Sequence, residues 1–134
     1  MAEFDALAIN MNRIGKNIEA KTNLQKRLFA TSILREVVDR TPVKSGLAKG
    51  NWQVGLGLPV STPLKRKSKG GAGVISSGTA RIAKSKQGEN IYISNLVPYI
   101  KKLNEGSSTQ APVAFIEVAI ISGLTLADKI KLVD

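Results

Sequence analysis

The sequence predicts a mixed fold, with helices at both ends of the chain and short strands between them. Apolar residues recur every three or four positions over the first forty residues and again from Val113 to Ile130, which is typical of helices. In two short central stretches they alternate instead, which is typical of strands. The 134 residues match the size of one domain, so we predict a single domain over residues 1–134.

The first element is predicted to be one long helix over residues 3–40. A helix of this length cannot bury its whole apolar stripe within a small domain, so we expect part of that stripe to contact a neighbouring subunit. The candidate interface residues are Phe4, Leu7, Met11, Ile14 and Ile18. Gly15 and residues 21–23 are weak points, and the alternative is two shorter helices folded on one core.

Thr41 and Pro42 end this helix, because a residue that precedes proline disfavours the helical conformation. A turn at Ser45-Gly46 is expected to open one short helical turn. Over residues 51–58 the apolar side chains of Trp52, Val54, Leu56 and Leu58 fall on one face, which predicts a strand. We expect Trp52, the only tryptophan, to lie in the core.

Residues 59–90 are predicted to form a long glycine-rich basic loop or extended hairpin. They contain seven basic residues and a single acid, Glu89. The composition is typical of a flexible, solvated segment, and a loop of this length is usually functional or disordered. The basic residues, which are candidates for facing DNA or a partner protein, are Lys65, Arg66, Lys67, Lys69, Arg81, Lys84 and Lys86.

A second strand is predicted over Glu89–Asn95, with Ile91 and Ile93 on one face. Residues 98–134 are then predicted to form a short helix, a loop and a C-terminal helix. Pro98 fits the start of the short helix and Gly106 fits its end.

Pro112 is placed to start the C-terminal helix. The alternative for Val113–Ile121 is a strand, because these residues are rich in β-branched side chains. Tyr99, at the start of the short helix, is expected to be a packing residue in the core.

The composition argues against an enzyme. There is no cysteine and no histidine, which excludes disulfides, the usual zinc sites and imidazole-based triads. Gly73 and Gly78 have the spacing of a phosphate-binding loop, but Thr79-Ala80 stands where that loop needs lysine followed by serine or threonine. The ten acids are scattered, and Glu36 and Asp39 are expected to pair with neighbouring arginines on a helix surface. We therefore predict no catalytic residue, no metal and no cofactor.

The formal net charge of +10 instead predicts contact with a polyanion: nucleic acid, an acidic protein or anionic lipid. No aromatic residue lies between positions 53 and 91, so the basic loop lacks stacking platforms for bases. The most apolar stretch, residues 111–127, is interrupted by Glu117 and is shorter than the roughly 20 residues that a membrane span needs. The first residues lack the apolar stretch of a signal peptide, so we expect synthesis in the cytoplasm.

Two motifs flank the basic loop. The first runs from Thr41 to Trp52 and the second from Asn95 to Pro112. In their order and spacing they resemble the tail-completion (neck, or head–tail joining) proteins of long-tailed bacteriophages, and the likeness spans residues 1–120. The matching positions are Thr41, Pro42, Ser45, Gly46, Leu47, Trp52, Asn95, Pro98, Tyr99, Glu105, Gly106, Ser107, Gln110, Ala111 and Pro112. Two positions depart from the pattern: Lys44 replaces a frequent acid, and Glu105 directly precedes Gly106.

The resemblance implies an α+β fold in which the long N-terminal helix and the C-terminal helix pack on a small, mostly antiparallel sheet. It also implies a structural virion protein that forms a ring, commonly of six copies, at the phage neck. Such a ring lies between portal or adaptor proteins on the head side and tail terminator or tube proteins on the tail side. Its members are made in the host cytoplasm, and DNA passes through the channel. In this reading the two motifs are scaffold, and the alternative is a non-sequence-specific nucleic-acid-binding protein.

Overall fold

A computed structural model describes residues 7–11, 23–106 and 114–129, with side chains through Ala127. These residues form three strands and five helices. In chain order the elements are β1 (Leu7–Asn10), α1 (Asn23–Arg40), α2 (Leu47–Gly50), β2 (Trp52–Leu56), α3 (Ala72–Ile82), β3 (Ile91–Asn95), α4 (Ile100–Asn104) and α5 (Phe115–Lys129). The predicted α+β class is confirmed.

The sheet is antiparallel throughout and has the order β1-β3-β2. Its central strand therefore comes last in the sequence. Ile93 of β3 lies opposite Ile9 of β1 on one side and Val54 of β2 on the other. All three side chains are buried, so the apolar residues of three distant segments form one row across the sheet.

Helix α1 is the central helix of the domain. It packs most extensively on α5 and also contacts α3, which in turn covers β2. The contact with α5 is close because Gly123 has no side chain: a Cβ at that position would lie 2.8 Å from Cα of Ile33. Glycine inside a helix ordinarily weakens it, but at position 123 it allows α5 to pack closely on α1.

The predicted helix over residues 3–40 is wrong for its first part. Leu7–Asn10 is a strand, and the helix begins at Asn23. Pairing with β3 satisfies the backbone of this short stretch and buries Ile9, which outweighs its helical spacing. Met11 is fully buried and Leu7 packs against the same core, so neither belongs to a free helical stripe.

Three of the other predicted interface residues, Phe4, Ile14 and Ile18, lie outside the described residues, as does Pro112. Elsewhere the predicted strands and helices are confirmed. They include the short helix α2, the two strands β2 and β3, and the helical rather than extended form of α5. Gly106 adopts a φ of 102° just after α4, as expected for the end of a helix.

The two aromatic residues of the motifs differ in burial. Trp52 is 1% exposed, as predicted, whereas Tyr99 is 41% exposed, so the expectation of a core tyrosine is wrong. Tyr99 immediately precedes the short helix α4, where Ile100 is buried in the core and Leu103 packs against it. Leu58 lies beyond the end of β2 and is exposed, so the predicted strand face ends at Leu56.

The segment predicted as loop or hairpin, residues 59–90, contains helix α3. Its buried residues, Val74, Gly78 and Ile82, recur every fourth position and face α1 and β2. This period is hidden in the sequence because glycine, serine and alanine surround it. A loop or hairpin is therefore the wrong description for residues 72–82, and Arg81 lies in the last turn of a helix.

Candidate interaction surface: the basic segment and its anchors

The basic segment, defined here as residues 57–90, connects β2 to β3. It consists of a first arm (57–71), helix α3 and a second arm (83–90). Six of its seven basic side chains are exposed, and only Arg66 is half-buried. The exposed ones are Lys65, Lys67 and Lys69 on the first arm, Arg81 on α3, and Lys84 and Lys86 on the second arm.

Asn51 fastens the first arm to the body of the domain. This residue is fully buried between α2 and β2. Its Nδ2 donates hydrogen bonds to the carbonyls of Leu47 (2.8 Å) and Leu64 (2.9 Å), and its Oδ1 accepts one from the Leu64 amide (2.8 Å). The amide side chain thus pairs with both backbone groups of Leu64, in the way that a neighbouring strand would.

Arg66 and Ser68 extend this attachment. The Arg66 guanidinium donates from Nε to the carbonyl of Gly50 (2.9 Å) and from Nη2 to that of Trp52 (3.3 Å). The Ser68 amide donates to the carbonyl of Gly46 at 2.9 Å. The backbones approach so closely that a Cβ on Gly50 would lie 2.3 Å from the Arg66 carbonyl oxygen. The first arm is therefore an ordered strap, and Arg66 is partly a structural residue.

The first arm also occupies the outer side of β2, which is an edge strand. The carbonyl of Trp52 accepts a hydrogen bond from Arg66, and Gln53 donates from Nε2 to the carbonyl of Thr62 at 3.1 Å. Unpaired backbone groups on an edge strand are a template for pairing with another chain. One side-chain hydrogen bond from the strap and one from β2 thus tie the strap to this edge without adding a strand.

The second arm is held by the first turns of α1. Ser85 is fully buried, and its Oγ accepts a hydrogen bond from Nε of Arg27 (3.1 Å). The carbonyl of Ser85 accepts from Nη2 of Arg27 and from Nδ2 of Asn23. Nζ of Lys26 donates to the carbonyl of Glu89 at 2.7 Å. Two cations and one amide of a single helix therefore fix this arm.

Lys26 is one of two buried lysines among the described residues, at 9% exposed beside 7% for Lys49. Burial lowers the pKa of its ammonium group, the nearby Glu89 carboxylate acts in the opposite direction, and Arg27 lowers the pKa further. The hydrogen bond to Glu89 thus holds a cation in a place that disfavours its charge.

The two motifs of the sequence meet in space. Trp52 and Asn95 lie opposite each other in the β2–β3 pair. The indole Nε1 of Trp52 donates to Oγ1 of Thr41 at 2.7 Å, and Thr41 in turn donates to the last turn of α1. Nδ2 of Asn95 donates to the carbonyl of Ala48 at 2.8 Å, while its Oδ1 accepts from the Val97 amide. Residues from both motifs therefore build one junction between α1, α2 and the sheet.

A pocket of about 170 Å³ lies where the first arm, β2 and α3 meet. Part of its lining is apolar and comes from Trp52, Val54, Leu64 and Val74. These four residues belong to β2, the first arm and α3, so the pocket exists only because the strap is fastened.

Polar side chains complete the lining of this pocket. Arg66 belongs to the first arm and Gln53 to β2, while Ser77 and Arg81 stand one turn apart on α3. None of the described lining residues is acidic. Two cations thus share one small recess without a carboxylate to neutralise them.

The scattered acids show no catalytic arrangement among the described residues. Glu36 pairs with Arg40 on the surface of α1 at 3.1 Å, as predicted. Glu117 accepts a hydrogen bond from Nδ2 of Asn104 at 2.7 Å, and Oδ1 of Asn104 accepts from the Ile116 amide. Within residues 7–11, 23–106 and 114–129, no three or more acids are grouped as a metal site. No helix in the described part of the chain is long and apolar enough to cross a membrane.

Comparisons with protein-family models, with curated proteins and with solved structures find no match to this chain. The resemblance to phage neck proteins therefore depends on the order and spacing of the two motifs.

Proposed function

We propose that this chain is a structural virion protein that forms a ring at the neck of a long-tailed bacteriophage. In this role it joins the DNA-filled head to the tail and continues the DNA channel. The observation that carries the proposal is the pair of motifs, Thr41–Trp52 and Asn95–Pro112. Their described members contact each other directly, through the Trp52–Asn95 strand pair and the Asn95–Ala48 hydrogen bond. Such contacts are what a shared scaffold requires of motifs that are distant in sequence.

The basic segment supports a role beside a polyanion. It presents six exposed cations on a support that is fastened at both ends, in a chain with a net charge of +10. In a ring, these cations would repeat around the axis and face either DNA or an acidic rim of the next ring. A salt-screened contact with the DNA backbone fits this role, because a tight grip would hinder DNA ejection.

A ring also needs a subunit interface, and exposed apolar side chains on the packed helices α1 and α5 offer one. These are Leu24, Val118, Ile121 and Leu126. A contiguous exposed apolar patch marks a surface that binds another protein, and in this proposal these side chains form such a patch. Repeated contacts between two different faces of the same subunit close into a ring. The interface prediction made from the sequence is kept for three further residues: Phe4, Ile14 and Ile18.

The proposed partners follow from this position. The ring, six-membered in this proposal, contacts portal or adaptor proteins towards the head and tail terminator or tube proteins towards the tail. The protein is made in the host cytoplasm and ends in the virion neck.

A second candidate function is a non-sequence-specific nucleic-acid-binding protein that acts outside a virion. The net charge and the exposed lysines favour it, because phosphate contacts need only cations. The two functions differ in where the protein is found and in how tightly it holds free duplex DNA.

Deletion of the gene from its phage tests the main proposal. We expect filled heads and free tails, with infectious particles restored by the wild-type gene supplied in trans. Electron microscopy of complemented virions should place the protein in a ring at the neck. Normal infectious particles without the gene would rule the proposal out.

A triple variant sharpens this test. Lys65, Lys67 and Lys69 replaced by serine should fold normally, because all three are exposed, yet complement poorly. Sub-micromolar duplex binding at physiological salt by a protein absent from virions would instead favour the second function.

A further inference from the structure

The pocket between the first arm and α3 holds cationic hydrogen-bond donors that the fold does not use. A guanidinium carries five N–H donors. The described hydrogen bonds of Arg66 use one at Nε and one at Nη2. Arg81 is exposed, and within the described part of the chain its side chain has no hydrogen bond or ion pair. The recess therefore offers forked donors suited to an oxyanion.

The size of the pocket restricts the ligand. Sites for drug-sized molecules and cofactors usually measure about 300–1,000 Å³. At about 170 Å³, this pocket has room for only a few water molecules, at roughly 30 Å³ each. It therefore fits one side chain or one small anion rather than a nucleotide.

The apolar part of the lining restricts the ligand further. A group that fills the pocket beside Arg66 and Arg81 also lies against Trp52, Leu64 and Val74. The phosphodiester groups of duplex DNA lie along a convex backbone, which meets the exposed lysines more readily than it enters a small recess. A glutamate side chain has methylene groups behind its carboxylate, and burying them removes apolar surface from water.

We infer that this pocket binds a glutamate side chain that is presented by a neighbouring protein. The inference builds on the proposed function, since the adjoining neck ring would present that side chain. The guanidinium groups of Arg66 and Arg81 hold the carboxylate, and Ser77 is placed one turn from Arg81 to donate a further hydrogen bond.

NMR titration of the full chain tests this inference. The probe is a capped Ala-Glu-Ala tripeptide, and the matched control ligand is capped Ala-Gln-Ala. Trp52 is the only tryptophan and lines the pocket, so its indole signal reports occupancy. We expect saturable shifts of this signal and of the Ser77 and Gly78 amides with the glutamate peptide alone. Equal shifts with both peptides, or none with either, would overturn the inference.

Two charge reversals separate pocket binding from general attraction. Arg81→Glu should weaken binding of the glutamate peptide by about tenfold or more, as expected for loss of a forked charged contact. Lys84→Glu changes the net charge equally, but Lys84 does not line the pocket, so we expect less than about a twofold effect. Both side chains are exposed, and the amide spectra should confirm that both variants fold. Equal weakening by the two variants would contradict a defined site.

Phosphate ligands form the last arm of the experiment. The Trp52 signal also reports binding of dimethyl phosphate and of a 12-base-pair duplex. If either binds more tightly than the glutamate peptide, the pocket is assigned to DNA and the inference is overturned. The neck ring is assessed separately in virions. If the protein forms the neck ring but does not bind the peptide, only this inference fails. If it binds the peptide but is absent from virions, only the proposed function fails.

Discussion

The two arms of the basic segment are fastened by different chemistry. The first arm carries one charged donor of its own, Arg66, and is otherwise held by neutral groups and by shape. These are the Asn51 amide, a backbone hydrogen bond to Gly46, and the absence of a side chain at Gly50. The second arm is held by Lys26 and Arg27, two cations that donate to carbonyls and a hydroxyl. The body of the domain thus holds the first arm by a neutral amide and close backbone approach, and holds the second arm by charged donors. Substitutions should therefore affect the arms independently.

The largest expected effect is on the first arm. Gly50→Ala places a Cβ 2.3 Å from the carbonyl oxygen of Arg66, and neither backbone can shift without breaking the strap. We expect the free energy of unfolding to fall by about 3 kcal/mol in urea denaturation. Gly73→Ala is the control, because its Cβ meets open space within α3, and alanine there should stabilise by up to about 1 kcal/mol. Equal changes in unfolding free energy at the two glycines would show that close backbone approach at Gly50 does not hold the first arm.

Asn51→Ala tests the hydrogen-bonded part of the same anchor. It leaves both backbone groups of Leu64 without their partner, so we expect a loss of about 2 kcal/mol and faster amide exchange along the first arm. Gln53→Ala removes an amide with a single exposed hydrogen bond to Thr62, and should cost less than about 1 kcal/mol. Faster exchange in the second arm of the Asn51 variant would show that the two anchors are coupled.

Arg27→Met is the matching change at the second arm. It removes the donors to the hydroxyl and carbonyl of buried Ser85, so we expect a loss of about 1–2 kcal/mol. Amide exchange should rise over residues 83–90 and stay unchanged over 57–71. Arg35→Met, at an exposed position of the same helix, should change stability by less than about 0.5 kcal/mol. A stability loss of equal size at Arg35 would point to helix charge rather than to the Ser85 contact.

The smallest expected effect is a pH dependence due to Lys26, which holds the second arm. Burial lowers the pKa of Lys26 below its ordinary value of 10.5, so between the folded and unfolded pKa values the unfolded chain binds more protons. Stability due to this group therefore rises as pH increases through that interval. The difference in unfolding free energy between wild type and Lys26→Met should become more favourable to wild type as the pH rises towards 10.5. The control is the same comparison between wild type and Lys65→Met, a change at an exposed position. A stability difference for Lys26→Met that falls as the pH rises would contradict the burial effect.

The sequence predicts those parts of the fold whose pattern is local. The alternation around Trp52 and around Ile91–Ile93 identifies two strands because each buries one face. Leu7–Asn10 escapes prediction, since four residues fit helical and extended spacing equally and only β3 decides between them. Helix α3 escapes because glycine and serine obscure the period of Val74, Gly78 and Ile82.

Prediction of the candidate site from the sequence is limited in the same way. Arg66 lies in a run with Lys65 and Lys67, and nothing in that run indicates that Arg66 alone turns inward to the carbonyls of Gly50 and Trp52. The pocket is assembled from β2, the first arm and α3, so it depends on tertiary placement rather than on a motif. The basic character of the surface is evident from composition, whereas its anchors and its recess are not.

The pairing of β1 with β3 has a consequence for the order of folding. It joins residues 7–10 to residues 92–95, so residues 11–91 lie between the partners. Closing so long a loop costs entropy before any contact repays it, and distant pairings of this kind form slowly. We therefore expect β1 to join a sheet that β2 and β3 have already formed. Ile9→Val should then raise the unfolding rate in stopped-flow measurements and leave the refolding rate almost unchanged, because the contacts of β1 form after the transition state.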